Sequence, residues 1–258
     1  MPALGRVRKQ AKLVICQSNL KQLGNAFEMY AGDNDGYFQQ GWQGMINCPC
    51  DGVDCSHWWM HALKPYYQDP RVCLCPMATK LGWDVSPSIY WEGGATFLAW
   101  CSNNGWLGEP GEVYGSYGVN GWVENNQCED DFLIDFIGPD APNWRWRQSG
   151  VKGAGNIPLL LDAPWIDCWP VDFDEPRAHA ELNWSQGSFI ARFMINRHEG
   201  RINCLFLDYS VRKIGLKEMY TLKWNRNFNT SGAWTLAGDV TRSDWEGAAE
   251  WMVNFKDY

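Results

Sequence analysis

Regular apolar spacing near the start of the chain predicts one long helix over residues 4–30. Apolar residues recur there at steps of four, three, four and three, so they lie on one stripe of a helix. The stripe consists of Cys16, Leu20, Leu23, Phe27 and Tyr30. Because such a stripe must be covered by a second layer of structure, we expect the helix to pack on the rest of the chain.

Residues 33–36 predict a turn that ends this helix. Their sequence is Asp-Asn-Asp-Gly, and Gly32 just before them is typical of a helix C-terminus. Asp33 and Asp35 also look like the start of a calcium-binding loop, but the downstream glutamate ligand of such a loop is absent. We therefore favour a plain turn over a calcium site.

The first part of the helix is cationic although the chain is acidic. Its basic residues, which all precede the first acidic residue Glu28, are Arg6, Arg8, Lys9, Lys12 and Lys21. Cations at a helix N-terminus oppose the macrodipole, so another interaction must favour them. A solvated helix face and a segment lying against anionic lipid headgroups both remain open. The net charge of −8 disfavours nucleic acid as a partner.

Ten cysteines in 258 residues predict disulfide bonds and export. An even number spread along the chain is typical of an oxidising compartment, so we expect most of them to be paired and the protein to be extracellular or periplasmic, at the cell surface. The sequence has neither a membrane-spanning run nor a signal peptide, and we expect that signal to lie upstream of Met1. The disulfide candidates are Cys16, Cys48, Cys50, Cys55, Cys73, Cys75, Cys101, Cys128, Cys168 and Cys204.

A cysteine-rich block over residues 48–75 offers zinc as an alternative to disulfides. It holds five of the cysteines together with His57 and His61, which would share one face if residues 57–63 are helical. A short helix is expected around residues 58–64. Its spacing is C-x-C rather than the usual C-x-x-C of zinc sites, so disulfides are favoured. We predict no cofactor, with zinc here and calcium at the turn as the alternatives.

The C-terminal half predicts an antiparallel sheet of three or four strands. The expected strands cover residues 157–162, 188–196, 201–208 and 210–214, and the last two form a hairpin. Further strands are expected near residues 71–75 and 116–123, and a final helix over residues 244–255. Residues 76–156 are otherwise rich in Gly, Asn, Trp and Pro, which predicts long surface loops.

Several short motifs together resemble a bacterial family. The chain is similar to bacterial prepilin-type, pseudopilin-like proteins of the planctomycete type in residues 16–24, Cys75-Pro76, residues 117–120 and 159–162, and in Arg197-His198, which nine residues separate from Asp208. The C-terminal domain of that family is named for a His, nine residues, and Asp-Gly. The motif residues are Cys16, Asn19, Leu20, Lys21, Gln22, Tyr30, Cys75, Pro76, His198 and Asp208.

The resemblance implies a pilin-like α+β fold, with a long N-terminal helix over residues 1–33 packed on a globular head over residues 34–258. The head would combine a small antiparallel sheet, within about 157–214, with Trp-rich, disulfide-pinned loops and a C-terminal helical extension. The implied function is that of a non-enzymatic structural subunit of an extracellular type IV pilus-like filament or type II secretion pseudopilus. The implied partners are copies of itself or other pilin-like subunits.

Two departures from the family pattern bear on these expectations. The cleavage motif and apolar half-helix of the family are missing from these 258 residues, so membrane contact is expected only through a segment outside them. Without that half-helix we expect self-association to be weak. Tyr209 stands where the family has Gly, and because tyrosine resists a positive φ we predict a different hairpin turn.

Neither the motif pair nor the rest of the chain predicts an enzyme. In an extended strand His198 and Asp208 would lie about 30 Å apart, too far to act on one substrate. The usual hydrolase, phosphate-loop and dinucleotide motifs are absent. The alternative function is a secreted carbohydrate- or surface-binding module that uses exposed tryptophan rings to stack on polysaccharide, such as Trp83, Trp144 and Trp146.

Overall fold

A computed structural model describes residues 2–41, 58–82, 94–101, 113–126, 133–180 and 188–258. The fold is mixed α/β, with a long N-terminal helix and two sheets. The helices are α1 (Pro2–Asp33), α2 (Trp59–Leu63), α3 (Leu133–Phe136) and α4 (Arg242–Ala248). The strands are β1 (Lys80–Leu81), β2 (Leu98–Cys101), β3 (Tyr114–Gly115), β4 (Tyr117–Asn120), β5 (Pro158–Asp162), β6 (Asp167–Cys168), β7 (Arg201–Phe206) and β8 (Val211–Gly215).

Helix α1 confirms the predicted apolar stripe. Cys16, Leu20, Leu23 and Phe27 are buried, and the last stripe residue is half-buried. The helix ends at Asp33 and is followed by the predicted turn, in which Asp35 has a φ of 54°. The side chain of Asp33 accepts a hydrogen bond from a tyrosine hydroxyl at 2.9 Å.

The main sheet has five strands in the order β6-β4-β5-β7-β8. Its neighbours are antiparallel except β4 and β6, which run parallel. Helix α1 covers one face, and Gly24 lies so close to β7 that a Cβ atom there would be 2.8 Å from Cδ1 of Leu205. The absence of a side chain at Gly24 therefore sets how closely the helix approaches the sheet.

The single small sheet predicted from the sequence is wrong in extent, because β1, β2 and β3 form a second sheet. Two predicted strands are also wrong, since residues 71–75 and 188–196 contain the 3₁₀ turns Pro70–Cys73 and Ile190–Arg192. Proline at the first position and the Asp69 side chain, which accepts the Arg71 N–H, start the first turn. The carboxylate of Asp174 accepts the N–H groups that start the second.

The hairpin between β7 and β8 corrects the prediction for Tyr209. Its φ is +62°, so tyrosine takes the left-handed conformation that the sequence argument excluded. Neighbouring groups hold it there: Asp208 accepts hydrogen bonds from the N–H and hydroxyl of Ser210 at 3.0 and 2.6 Å. The carbonyl of Tyr209 also accepts a bond from Lys21 Nζ at 3.0 Å. These bonds offset a strain of about 1–2 kcal/mol.

The predicted disulfides are not found in the described part of the chain. No disulfide joins its six cysteines, which are all buried, and this corrects the expectation for them: Cys16, Cys73, Cys75, Cys101, Cys168 and Cys204. Buried cysteine packs as a small apolar residue, so a high cysteine count does not require pairing. The remaining candidates Cys48, Cys50, Cys55 and Cys128 lie outside the described residues.

Tryptophans hold the loops where disulfides were expected. Of the twelve tryptophans in the described ranges, seven are buried and five are half-buried. The indole N–H groups of Trp59, Trp122 and Trp224 donate to the backbone carbonyls of Ile166, Pro170 and Met219 at 3.1, 2.7 and 2.8 Å. Each ring thus fills core volume and fixes a loop by one hydrogen bond.

The C-terminal helix is shorter than predicted. Helix α4 begins with a capping box in which Thr241 and Asp244 satisfy each other's backbone N–H groups. It ends at Ala248, and a 3₁₀ turn follows over Glu250–Met252. Within the described ranges, no helix is both long and apolar enough to cross a membrane.

Candidate functional site

Four buried side chains from separate parts of the chain meet between α1 and the main sheet. They are Cys16 of α1, Cys75 of the loop before β1, Asp162 at the end of β5, and His198 before β7. Their sulfur, oxygen and nitrogen atoms all lie within 4.8 Å of one another. This group, named the Cys-Asp-His cluster below, could hold a metal ion.

Local structure explains how these residues come together. Cys16 is the first residue of the buried stripe, so the packing of α1 carries it to the sheet. Asn19, one turn later, donates its side-chain amide to the carbonyl of Leu74 at 2.9 Å and fixes the loop that carries Cys75. The N–H of Cys75 also donates to the hydroxyl of Ser116.

The closest contacts within the cluster converge on one nitrogen. Nε2 of His198 lies 3.4 Å from Sγ of Cys75 and 3.3 Å from Oδ2 of Asp162. Sγ of Cys16 lies 3.7 and 3.8 Å from the two carboxylate oxygens, and it accepts a hydrogen bond from the hydroxyl of Tyr117 at 3.3 Å. The N–H of Asn203 donates to Oδ2 at 2.8 Å.

Arg197 compensates the negative charge of Asp162 in the cluster. Its guanidinium and the Asp162 carboxylate form a fully buried ion pair of 3.1 Å. The same guanidinium donates to the carbonyls of Thr96 and Ser116 at 2.7 and 2.5 Å, so three chain segments depend on this one side chain. A buried ion pair survives only when its remaining donors are satisfied in this way.

The charges of the cluster shift the pKa values of its members. Burial would raise the pKa of Asp162, but His198 and Arg197 outweigh burial and lower it to about 2. Burial would lower the pKa of His198, but the carboxylate raises it to about 10. Burial opposes ionisation of Cys75, yet the Cys16 thiol, His198 and Arg197 lower its pKa to about 7. Burial raises the pKa of Cys16 well above its usual value.

The geometry is unlike a nucleophile, base and acid triad. In a triad the nucleophile and the carboxylate contact opposite nitrogens of the imidazole, so that the carboxylate orients the base. Here Cys75 and Asp162 both contact Nε2 of His198. Four donor atoms that point to one centre are instead the arrangement of a metal site.

A cavity of about 500 Å³ lies against one member of this cluster, His198. It lies between the start of α1 and the turn before β7, and its wall includes Arg6, Lys9, Phe97 and His198. Lys9 bridges its mouth through an exposed ion pair of 2.5 Å with Glu199. A basic residue from the start of α1 therefore contacts the head directly.

The cluster unites three of the motif residues predicted from the sequence, namely Cys16, Cys75 and His198. Asp208 is exposed in the hairpin beyond the far end of β7, so the motif pair does not form one site. The other motif residues have structural positions: Leu20 is buried, Tyr30 and Pro76 are half-buried, Gln22 is exposed, and Lys21 bonds the hairpin.

Sequence reasoning did not select Asp162 or Arg197 as site residues. Both stood in quoted motifs, Asp162 after three leucines and Arg197 beside His198. A carboxylate that ends a wholly apolar strand is a signal of a buried charge, because a buried charge needs a partner. Combined with the Arg197-His198 pair, whose side chains can compensate a buried carboxylate, that signal could have identified the site.

Only three of the seven residues of the predicted zinc block are described, so a zinc site in the block stays a prediction. Cys75 belongs to the Cys-Asp-His cluster, whereas Cys73, two residues before it, is buried apart from it and His61 is half-buried. His57 lies outside the described residues, as do three of the block's cysteines. Of this block, Cys75 is therefore the residue that the structure places in a possible metal site.

The tryptophans proposed to bind polysaccharide are packed where the structure describes them. Trp144 and Trp146 are half-buried, and the indole N–H of Trp146 donates to the carbonyl of Trp224 at 2.9 Å. The guanidinium of Arg226 covers the Trp146 ring at 5.2 Å. Trp83 lies outside the described residues.

Comparison of the chain with protein-family models, with curated proteins and with solved structures gives no match. The resemblance to prepilin-type proteins therefore rests on the motif residues quoted above.

Proposed function

We propose that this chain is a non-enzymatic structural subunit of an extracellular pilus-like filament or secretion pseudopilus, and that its partner is a second copy of the same helix. The observation that supports this proposal is that α1 carries two apolar stripes on different faces. One stripe packs on the head, and the other faces away from it.

The outward stripe lies in the first half of α1. Leu4, Val7, Ala11 and Val14 follow one another at steps of three, four and three, and all four are exposed. The three larger side chains are 52–64% exposed. At 100° per residue this stripe lies about 160° around the helix axis from the buried stripe.

This spacing is the one that helix pairs use. Apolar residues at alternating steps of three and four form the seam of a two-helix contact, and exposing them to water is unfavourable. The described part of the head does not cover this seam, because it packs on the opposite side of α1. A second helix with the same seam can cover it, as in a filament whose core is made of N-terminal helices.

The test is sedimentation velocity of the full chain over a hundredfold range of concentration. We expect weak, concentration-dependent small oligomers, because the seam is short and the chain carries a net charge of −8. The double variant Val7→Glu, Val14→Glu should be monomeric over the same range.

The matched control is Phe173→Glu, which also replaces an exposed apolar residue, 65% accessible, but in the head. It should associate like the parent chain. A parent chain that is monomeric throughout, or a seam variant that associates as well as the control, would contradict the proposal.

A further inference from the structure

We propose that the Cys-Asp-His cluster is a structural zinc site that fastens α1 to the head. The ligands would be Sγ of Cys16, Sγ of Cys75, a carboxylate oxygen of Asp162 and Nε2 of His198. Two thiolates with an imidazole and a carboxylate suit zinc rather than calcium or magnesium, which prefer oxygen ligands only. Four protein ligands describe a closed site, which is typical of structural zinc.

The distances between the ligand atoms fit a zinc tetrahedron. Usual zinc bond lengths place a sulfur and a nitrogen ligand about 3.6 Å apart, a nitrogen and an oxygen about 3.3 Å, and a sulfur and an oxygen about 3.5 Å. The corresponding separations are 3.4 Å from Cys75 to His198, 3.3 Å from His198 to Asp162, and 3.7–3.8 Å from Cys16 to Asp162. The ligand atoms need only small shifts to bind an ion.

The charges balance when zinc is bound. Two thiolates and one carboxylate carry three negative charges, and zinc with the buried guanidinium of Arg197 carries three positive ones. Because the ligands and Arg197 are buried, a neutral total is what this site requires. Zinc replaces the protons of the two thiols and the Nε2 proton of the His198 imidazolium, and these protons leave to solvent, so that the histidine binds as a neutral ligand.

Outer contacts already orient the ligands as metal sites require. Arg197 bonds Oδ1 of Asp162 at 3.1 Å, and the backbone N–H of Asn203 bonds Oδ2 at 2.8 Å. The hydroxyl of Tyr117 donates to Sγ of Cys16, which favours its thiolate form. The cavity that His198 and Arg197 line lies beside the site.

The experiment measures zinc bound to the full chain, purified with a thiol reductant, by elemental analysis after dialysis against zinc and then buffer. Cys75→Ser and His198→Gln should each bind one zinc fewer per chain than the parent. Cys73→Ser is the matched control, because it removes a buried thiol two residues away from the same segment. It should keep the parent stoichiometry.

Cobalt substitution supplies a readout that does not depend on stoichiometry or on how well a variant folds. The parent and Cys73→Ser should show the visible bands of tetrahedral cobalt with thiolate charge-transfer absorption. In His198→Gln these bands should shift or be lost while circular dichroism shows a folded chain.

Three results would overturn the proposal. The first is a parent chain without zinc, and the second is an equal zinc content in Cys75→Ser and the parent. The third is a Cys16 to Cys75 disulfide in the isolated protein, with no zinc taken up after reduction.

Discussion

Two buried aspartates five residues apart differ in how their charges are compensated. Asp162 has a guanidinium, an imidazole and a backbone N–H as partners, and its pKa is lowered to about 2. Asp167 is buried with Oδ2 lacking a hydrogen-bond partner, and burial raises its pKa to about 7 although Arg192 partly offsets this. The same residue type thus supports the fold at one position and costs stability at the other.

The substitution Asp167→Asn should raise stability at pH 8 more than at pH 5. A carboxyl with a raised folded pKa is protonated in the native state when the unfolded chain is already ionised, so stability falls as pH rises from 3.8 to about 7. The gain over the parent should therefore be larger at pH 8 by roughly 2–3 kcal/mol. Urea unfolding at both pH values measures it.

The control for this prediction is Asp162→Asn, which removes a paired charge. It should destabilise the chain at both pH values, because Arg197 is left buried without its carboxylate. An equal gain for Asp167→Asn at pH 5 and pH 8 would show that the carboxyl is not protonated in the folded state.

The packing of the second half of α1 should contribute a large part of the free energy of unfolding. Phe27 is fully buried on the stripe, whereas Met29, two residues later on the same helix, is 48% exposed. Phe27→Ala should cost about 3–5 kcal/mol, because it removes buried surface and leaves a cavity. Met29→Ala should change stability by less than about 0.5 kcal/mol.

Chemical unfolding of the two variants checks this prediction. Similar unfolding midpoints for Phe27→Ala and Met29→Ala would mean that α1 does not pack on the sheet in solution. The comparison keeps helix propensity nearly constant, since both positions lie inside the same helix and both become alanine.

Local sequence patterns were sufficient to predict several elements of the fold. The α1 stripe, β5 and the hairpin of β7 and β8 were predicted because steps of three and four, apolar runs and turn residues identify them locally. The 3₁₀ turn at Ile190–Arg192 was missed because its apolar run matches a buried strand equally well. The carboxylate of Asp174, fifteen residues away from Phe189, decides between the two.

The candidate site was only partly predictable for the same reason. Cys16, Cys75 and His198 were selected through the family resemblance, but their contact with Asp162 joins residues up to 146 positions apart. Such contacts depend on the order of strands in the sheet, which short motifs do not encode. The prediction for the turn at Tyr209 was wrong for a related reason. Tyrosine disfavours a positive φ, but hydrogen bonds from Ser210 to Asp208 and from Lys21 to the Tyr209 carbonyl override that preference.

Whether the cysteines of the whole chain are reduced or oxidised tests the inference from cysteine content that the protein is exported. Alkylation of the denatured chain without reductant should label at least the six cysteines that form no disulfide in the described part of the chain. The folded chain should react slowly, because all six are buried. Mass spectrometry counts the labels.

Five or fewer labelled cysteines in the denatured chain would mean that at least one of these six is oxidised. That outcome would restore the argument for export from cysteine content. Ten labelled cysteines would leave the proposed extracellular location resting on the pilin-like features of α1 alone.

The first half of α1 is mostly exposed, whereas the second half packs on the head. This difference has a mechanical consequence. Tension applied along the exposed first half would load the surface ion pair of Lys9 and Glu199 and would reach the buried core at Cys16, where the buried stripe begins. Its neighbour Asp162 belongs to β5, the middle strand of the five, so the load would pass to the centre of the sheet rather than to an edge. A zinc ion bound by both Cys16 and Asp162 would link the helix directly to this strand and would strengthen the connection between them.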